Sequence, residues 1–147
     1  MDSTVDPPTQ KRRTRSLASL VEEAAAEVEE LNPVECQRWL AAHPEALVID
    51  LREPSEYREG ALPAAVHIPR GVLECAADLE HPDRDPRLAD ADRPLLLYCR
   101  TGVRSVLAAH ALQRMGFTRV VSMAGGFTDW KLVGGEIDET PPPSPFA

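Results

Sequence analysis

The sequence predicts an α/β fold with a central parallel sheet and helices on both of its faces. Short apolar runs carry the first half of this: Ala46-Leu47-Val48-Ile49-Asp50-Leu51, Leu95-Leu96-Leu97-Tyr98 and Arg119-Val120-Val121-Ser122-Met123. They are too short for helices of their own and are bounded by Pro, Gly or charged residues, so they read as buried strands. Segments of helical spacing lie between them, and strands alternating with helices imply a parallel sheet with crossover helices. A length of 147 residues fits one domain with room for a hydrophobic core.

In chain order, Met1 to Arg15 mixes Asp, Pro, Thr, Lys and Arg without periodicity and reads as a flexible arm over residues 1–15. The domain proper is predicted over residues 16–136. It opens on a helix from Leu17 to Ala26, with capping-box spacing at Ser19-Leu20-Val21-Glu22. Glu27 to Leu31 fits either a continuation of that helix or a short strand. Asn32-Pro33-Val34-Glu35 signals a second helix start, with Asn as N-cap and Pro at the first position. This helix carries Cys36, Trp39 and Leu40 and stops before Pro44. After the strand ending at Leu51, Pro54 breaks the chain and Ser55 to Glu59 forms a short helix. Ala64 to Pro69 is a further strand. Asp78 to Pro94 is charged and proline-studded and reads as a long exposed connection that includes His81.

From Val103 the positions Val106, Leu107, Ala111, Leu112 and Met115 keep helical spacing, and Gly116 marks the stop. His110 reads as a packing residue of this helix. Gly125-Gly126 makes a turn, Phe127 to Val133 closes the domain with Trp130, and residues 137–147 read as a disordered Pro-rich tail.

A formal charge of −8 argues against nucleic acid or an anionic membrane as a partner, despite the local run Lys11-Arg12-Arg13-Thr14-Arg15. The cysteines Cys36, Cys75 and Cys99 form no CxxC pair, and an odd count disfavours a disulfide framework. The histidines His43, His67, His81 and His110 are scattered, so no metal site and no cofactor are expected. No apolar run approaches membrane-spanning length, and the N-terminus is not signal-like. The expected address is the cytoplasm, where a free thiol survives. Nothing in the pattern assigns an oligomeric state.

The chemistry concentrates in Cys99-Arg100-Thr101-Gly102-Val103-Arg104-Ser105. Cys99 ends a predicted strand just before a helix N-terminus, the place where open α/β sheets hold ligands. The first N–H groups of a helix lack intrahelical partners and carry the positive end of its dipole. Gly102 permits a turn that aims further N–H groups inward as an anion-binding nest. Arg100 and Arg104 add permanent positive charge. Such surroundings favour a thiolate, the nucleophilic form of cysteine, and would hold an anionic substrate beside it.

Taken with Asp50-Leu51-Arg52-Glu53-Pro54-Ser55-Glu56-Tyr57, Gly60-Ala61-Leu62-Pro63-Ala64-Ala65-Val66-His67-Ile68-Pro69 and Ala124-Gly125-Gly126-Phe127-Thr128-Asp129-Trp130, this loop resembles a single rhodanese domain. The resemblance covers roughly Leu31 to Gly135. It implies a rhodanese-like fold and a sulfurtransferase in which Cys99 takes the outer sulfur of thiosulfate or a persulfide donor, and a thiol, protein thiol or cyanide collects it. It implies that Arg100, Thr101, Gly102, Val103, Arg104 and Ser105 bind the anionic donor, while Asp50 and Arg52 order the edge of the site by ion pairing. Ala61 and Ala64 depart from the family's usual Gly-His-Ile-Pro-Gly, and Thr101 stands where some efficient thiosulfate users carry a cation. Cys75 fits either a resolving thiol or an ordinary loop cysteine. The alternatives are a non-catalytic binding module and a cysteine-dependent phosphatase. The latter class places five residues between Cys and Arg, whereas four separate Cys99 from Arg104.

Overall fold

A computed structural model describes residues 15–146. Apart from Arg15, the predicted N-terminal arm therefore lies outside the described residues. The elements follow as α1 (Leu17–Ala25), β1 (Glu29–Leu31), α2 (Pro33–Ala42), β2 (Leu47–Asp50), α3 (Pro54–Arg58), β3 (Val66–His67), α4 (Leu73–Ala77), β4 (Leu95–Tyr98), α5 (Val103–Arg114), β5 (Val120–Met123) and α6 (Gly126–Leu132). Single 3₁₀ turns cover Arg70–Val72 and Pro86–Leu88. The five strands form one parallel sheet in the order β1-β5-β4-β2-β3.

The predicted α/β architecture is what the chain adopts, and strand alternation explains its two layers. Successive side chains of a strand point to opposite faces. Leu95 and Leu97 of β4 join Leu47 and Ile49 of β2 in the core beneath α1, α4 and α5. Leu96 and Tyr98 join Val48, Cys36 and Trp130 beneath α2 and α6. With both faces covered, the central strands β2, β4 and β5 are buried throughout, which is why they read as continuous apolar runs.

Local signals mostly act where the sequence places them. Asn32 caps α2 through the Glu35 N–H, and Glu35 reaches back to the Asn32 N–H, closing the capping box. At α1 the box lies one turn earlier than expected. Ser16 is the extended N-cap and Ser19 its reciprocal partner, so Glu22 caps nothing there. Glu29–Leu31 turns out as strand, because pairing with β5 outweighs the marginal extension of a short helix. The connection from Asp78 to Pro94 is not wholly exposed. Leu88 is buried in the core, held by a turn in which Asp85 accepts from the backbone and guanidinium of Arg87.

The C-terminal segment corrects another expectation. Disorder is predicted from its proline content, yet it packs along the domain. Ala61 and Asp138 exchange backbone hydrogen bonds of 3.0 and 2.8 Å as an antiparallel bridge. The Tyr57 hydroxyl donates to the Pro142 carbonyl at 3.0 Å, Ser144 bonds to His67, and Phe146 meets the His67 ring edge-on. Proline removes backbone donors but leaves carbonyls that a tyrosine can use.

Ala64 lies at φ +62°, in the left-handed region that L side chains avoid. This is the position where the resembled family carries glycine. Ala64→Gly is expected to raise stability by about 0.5–1 kcal/mol, after the added freedom of the unfolded chain is counted, in a denaturant titration.

Cys36 lies on the buried face of α2 with its thiol donating to the Leu31 carbonyl at 3.5 Å. Burial, and secondarily the charge of Glu35, push this thiol from 9.0 up to about 12. A raised folded-state value contributes stability that is whole below the unfolded thiol's pKa and is lost as pH rises through the folded one. Stability is therefore expected to fall between pH 9.0 and about 12, and denaturation of Cys36→Ala to show a shallower alkaline slope.

Candidate active site

The connection after β2 runs outward to β3, whereas the connection after β4 runs the other way to β5. The carboxyl ends of β2 and β4 thus flank a topological switch point, where parallel sheets open a crevice. Asp50 and Arg52 lie at the end of β2, and Cys99 immediately follows β4. Residues far apart in sequence are brought together by parallel pairing, with Asp50 opposite Tyr98.

Cys99 is 1% exposed at the floor of the loop. The Gly102 N–H points at its Sγ from 3.1 Å, and the Ser105 hydroxyl lies 3.6 Å away. Gly102 can do this because it sits at φ +102° as the residue before α5. Ser105 in turn bonds to the Gly102 carbonyl at 3.2 Å and receives the Ser122 hydroxyl at 2.8 Å. The loop is strapped from outside by the turn into α6. Phe127 and Thr128 N–H groups donate to the carbonyls of Cys99 and Arg100 at 2.9 and 3.1 Å. Gly126 makes that approach possible, since a Cβ there would sit 2.5 Å from the Cys99 carbonyl oxygen.

Arg100, Thr101 and Val103 form the exposed rim of the loop. Arg104 is only partly exposed. Its Nη1 and Nη2 donate to Glu56 Oε1 and Oε2 at 3.2 and 3.4 Å. Glu56 is also fixed within its own helix start, because Oε1 accepts the Glu53 N–H at 2.9 Å as well, in the capping arrangement of α3. Burial acts to raise the Glu56 carboxyl, but the Arg104 hydrogen bond and charge and the Glu53 N–H outweigh it and hold the group below its usual range. Above the loop opens a cleft of about 730 Å³ lined by Arg52, Glu56, Glu59, Arg100, Phe127 and Lys131 among others.

Asp50 and Arg52 form a buried ion pair, with Nη2 donating to Oδ2 at 2.8 Å and Nε to Oδ1 at 3.1 Å. Arg52 also donates to the Gly60 carbonyl at 2.6 Å, and its guanidinium lies 4.1 Å from the Phe127 ring centroid. The Tyr98 hydroxyl donates to Asp50 and accepts the Leu62 N–H. Burial first, then the Asp50 charge, push this phenol well above the usual tyrosine range. His67 completes the frame. One ring nitrogen meets the Arg52 carbonyl at 2.7 Å, so that Nε2 must carry the proton, and Nδ1 accepts from Ser144.

Cys99 and its loop follow β4, and Asp50 and Arg52 lie at the end of the neighbouring strand β2. Cys75 lies on α4, half-buried, and Cys36 lies on α2 with its side chain in the core. Sequence reasoning missed Glu56, His67, Tyr98 and Ser122 as members of this region. Tyr98 carried one usable signal, a hydroxyl at the end of an apolar strand beside Asp50's predicted strand. The others depended on contacts across the chain.

The model of the family described as "Rhodanese-like domain" matches residues 32–132. A putative sulfurtransferase of Bacillus subtilis is 31% identical over 105 residues, which span 71% of this chain and 92% of that protein. Among solved structures, a Rhodopseudomonas palustris protein of unknown function, described as a possible tyrosine phosphatase, matches with a TM-score of 0.80 at 30% identity, over 94% of this chain and 99% of that one. The polysulfide-sulfur transferase homodimer of Wolinella succinogenes matches with a TM-score of 0.69 at 25% identity, covering 91% and 93% of the two chains.

Proposed function

We propose, since the chain belongs to the rhodanese-like domain family, that it is a sulfurtransferase carrying sulfane sulfur as a persulfide on Cys99. The observation that carries this reading is the Cys99 sulfur at the end of β4, met by the Gly102 N–H at the head of α5. An anion formed on that sulfur finds a donor already in place, so little reorganisation is needed when charge develops.

With thiosulfate as donor, the Cys99 thiolate attacks the outer sulfur. A new S–S bond forms, the bond to the sulfonate sulfur breaks, and sulfite leaves with the electron pair. Arg100 and Arg104, with the loop N–H groups from Thr101 to Ser105, would hold the departing anion. Ser105 serves either state of the cysteine. Its oxygen accepts from the thiol, and rotation of its hydroxyl toward Sγ supplies a donor to the anion, while the Ser122 hydroxyl keeps its oxygen in place. In the second half, a thiol, protein thiol or cyanide attacks the outer persulfide sulfur and regenerates Cys99. This is covalent, two-step chemistry that needs no metal or cofactor. A persulfide donor would enter by the same attack. Asp50 and Arg52 act as the rigid wall of the crevice and not as reactants. A reducing compartment such as the cytoplasm would keep the thiols free.

The test is intact mass before and after thiosulfate and again after cyanide. Gain of one sulfur on Cys99, released as thiocyanate, is the expected result. No gain from thiosulfate or from a low-molecular-weight persulfide would overturn the reading. A phosphatase is the second reading, favoured by the description of the Rhodopseudomonas relative and by Arg104-Ser105 at the loop's end. The loop between Cys99 and Arg104 is one residue shorter than that class uses, so aryl phosphate hydrolysis is expected to be absent.

A further inference from the structure

Arg104 and Glu56 belong to different parts of the chain, and only one of them is anchored independently. Glu56 sits at the third position of α3, where its carboxylate accepts the Glu53 N–H at 2.9 Å. A glutamate in this role is set by the helix start itself. Arg104, on the first turn of α5, reaches it with both terminal nitrogens, at 3.2 and 3.4 Å. The two side chains are 32% and 24% exposed, enough removed from water for the pair to persist and open enough for a ligand to reach it.

We infer that Glu56 determines donor specificity by occupying Arg104, so that a free sulfur oxyanion must displace a fixed carboxylate before that guanidinium can hold it. The inference rests on the sulfur-transfer reading of the same site and names what that site disfavours. A doubly charged donor such as thiosulfate meets repulsion from Glu56 and competition for the Arg104 guanidinium. A donor that delivers sulfur without a sulfonate group has no need of Arg104 and escapes both costs. Glu56 is on this account a positioning residue, acting on substrate through Arg104.

Glu56→Gln isolates the effect. Glutamine still accepts the Glu53 N–H, so the start of α3 is preserved, while the charge holding Arg104 is gone. Glu59→Gln removes an equal charge from the same cleft without touching Arg104. Sulfate, an inert dianion resembling the sulfonate end of thiosulfate, is titrated against each protein, and the amide resonances of Gly102 to Ser105 are followed. The half-saturating sulfate concentration is expected to fall about fivefold in Glu56→Gln, the scale of a partly exposed ion pair, and less than about twofold in Glu59→Gln. In turnover, kcat/KM for thiosulfate rises by a similar factor in Glu56→Gln, whereas kcat/KM for the cyanide half-reaction moves much less. Unchanged or weaker sulfate binding in Glu56→Gln, or an equal gain in both variants, overturns the inference. Tighter sulfate binding with no sulfur transferred in any variant would uphold the inference about Glu56 while removing the sulfur-transfer reading.

Discussion

Cys99→Ser is expected to abolish sulfur transfer, with a loss on the order of 10³-fold or more and no sulfur gained in the intact mass. A serine hydroxyl is hardly ionised at neutral pH and cannot form the S–S bond on which the cycle depends. The fold has little reason to respond. Serine is smaller, but its oxygen can accept the Gly102 N–H and meet the Ser105 hydroxyl, the contacts the sulfur makes now. The straps from Phe127 and Thr128 hold backbone carbonyls and do not depend on the side chain. Circular dichroism and a midpoint of thermal unfolding within a few degrees of the parent would establish that the loss is chemical. Retained thiocyanate production would place the nucleophile elsewhere.

Asp50→Ala is expected to be the most damaging single change to stability. Asp50 is 0% exposed and Arg52 4%, and the carboxylate takes hydrogen bonds from the Arg52 backbone N–H, the Arg52 guanidinium and the Tyr98 hydroxyl. Removing one partner of such a pair strands the other charge in a dry environment, at a cost of about 3–5 kcal/mol. That is a large part of the roughly 5–15 kcal/mol by which a domain is stable, so the denaturation midpoint should drop sharply with little change in slope. The comparison is Asp85→Ala. Its partner Arg87 is 48% exposed, water can replace the lost carboxylate, and the expected loss is below about 1 kcal/mol. Similar losses in the two variants would mean that Arg52 is resolvated on mutation and that the pair does not brace the crevice.

The two expectations draw on parts of the molecule that were unequally legible in sequence. The cysteine loop is local: strand, turn, glycine and helix start follow one another, and each is specified by near neighbours. Its chemistry could therefore be argued from residues 99–105 directly. The Asp50–Arg52 pair was likewise near in sequence, only the resemblance suggested that it would order the edge of the site by ion pairing, and its burial was not foreseen. Glu56 was visible as part of a short helix, but nothing in its own neighbourhood indicates that Arg104 will reach it. The tail was misjudged for the same reason. Proline content describes what a segment cannot do alone, and says nothing of Tyr57 and His67, which await it on the domain.

The sequence by itself determined the strand and helix alternation, the place of Cys99 at the end of β4 and the glycine that lets the backbone turn toward it. These are matters of periodicity, conformational freedom and residue chemistry, all expressed over a few neighbouring positions. Tertiary structure alone decided that β2 and β4 lie side by side, that Arg104 is held by a carboxylate, and that Ser122 supports Ser105 from another strand. Each of these depends on parallel pairing across a crossover. The side chains that meet there are chosen by register and packing, which no local stretch of chain encodes.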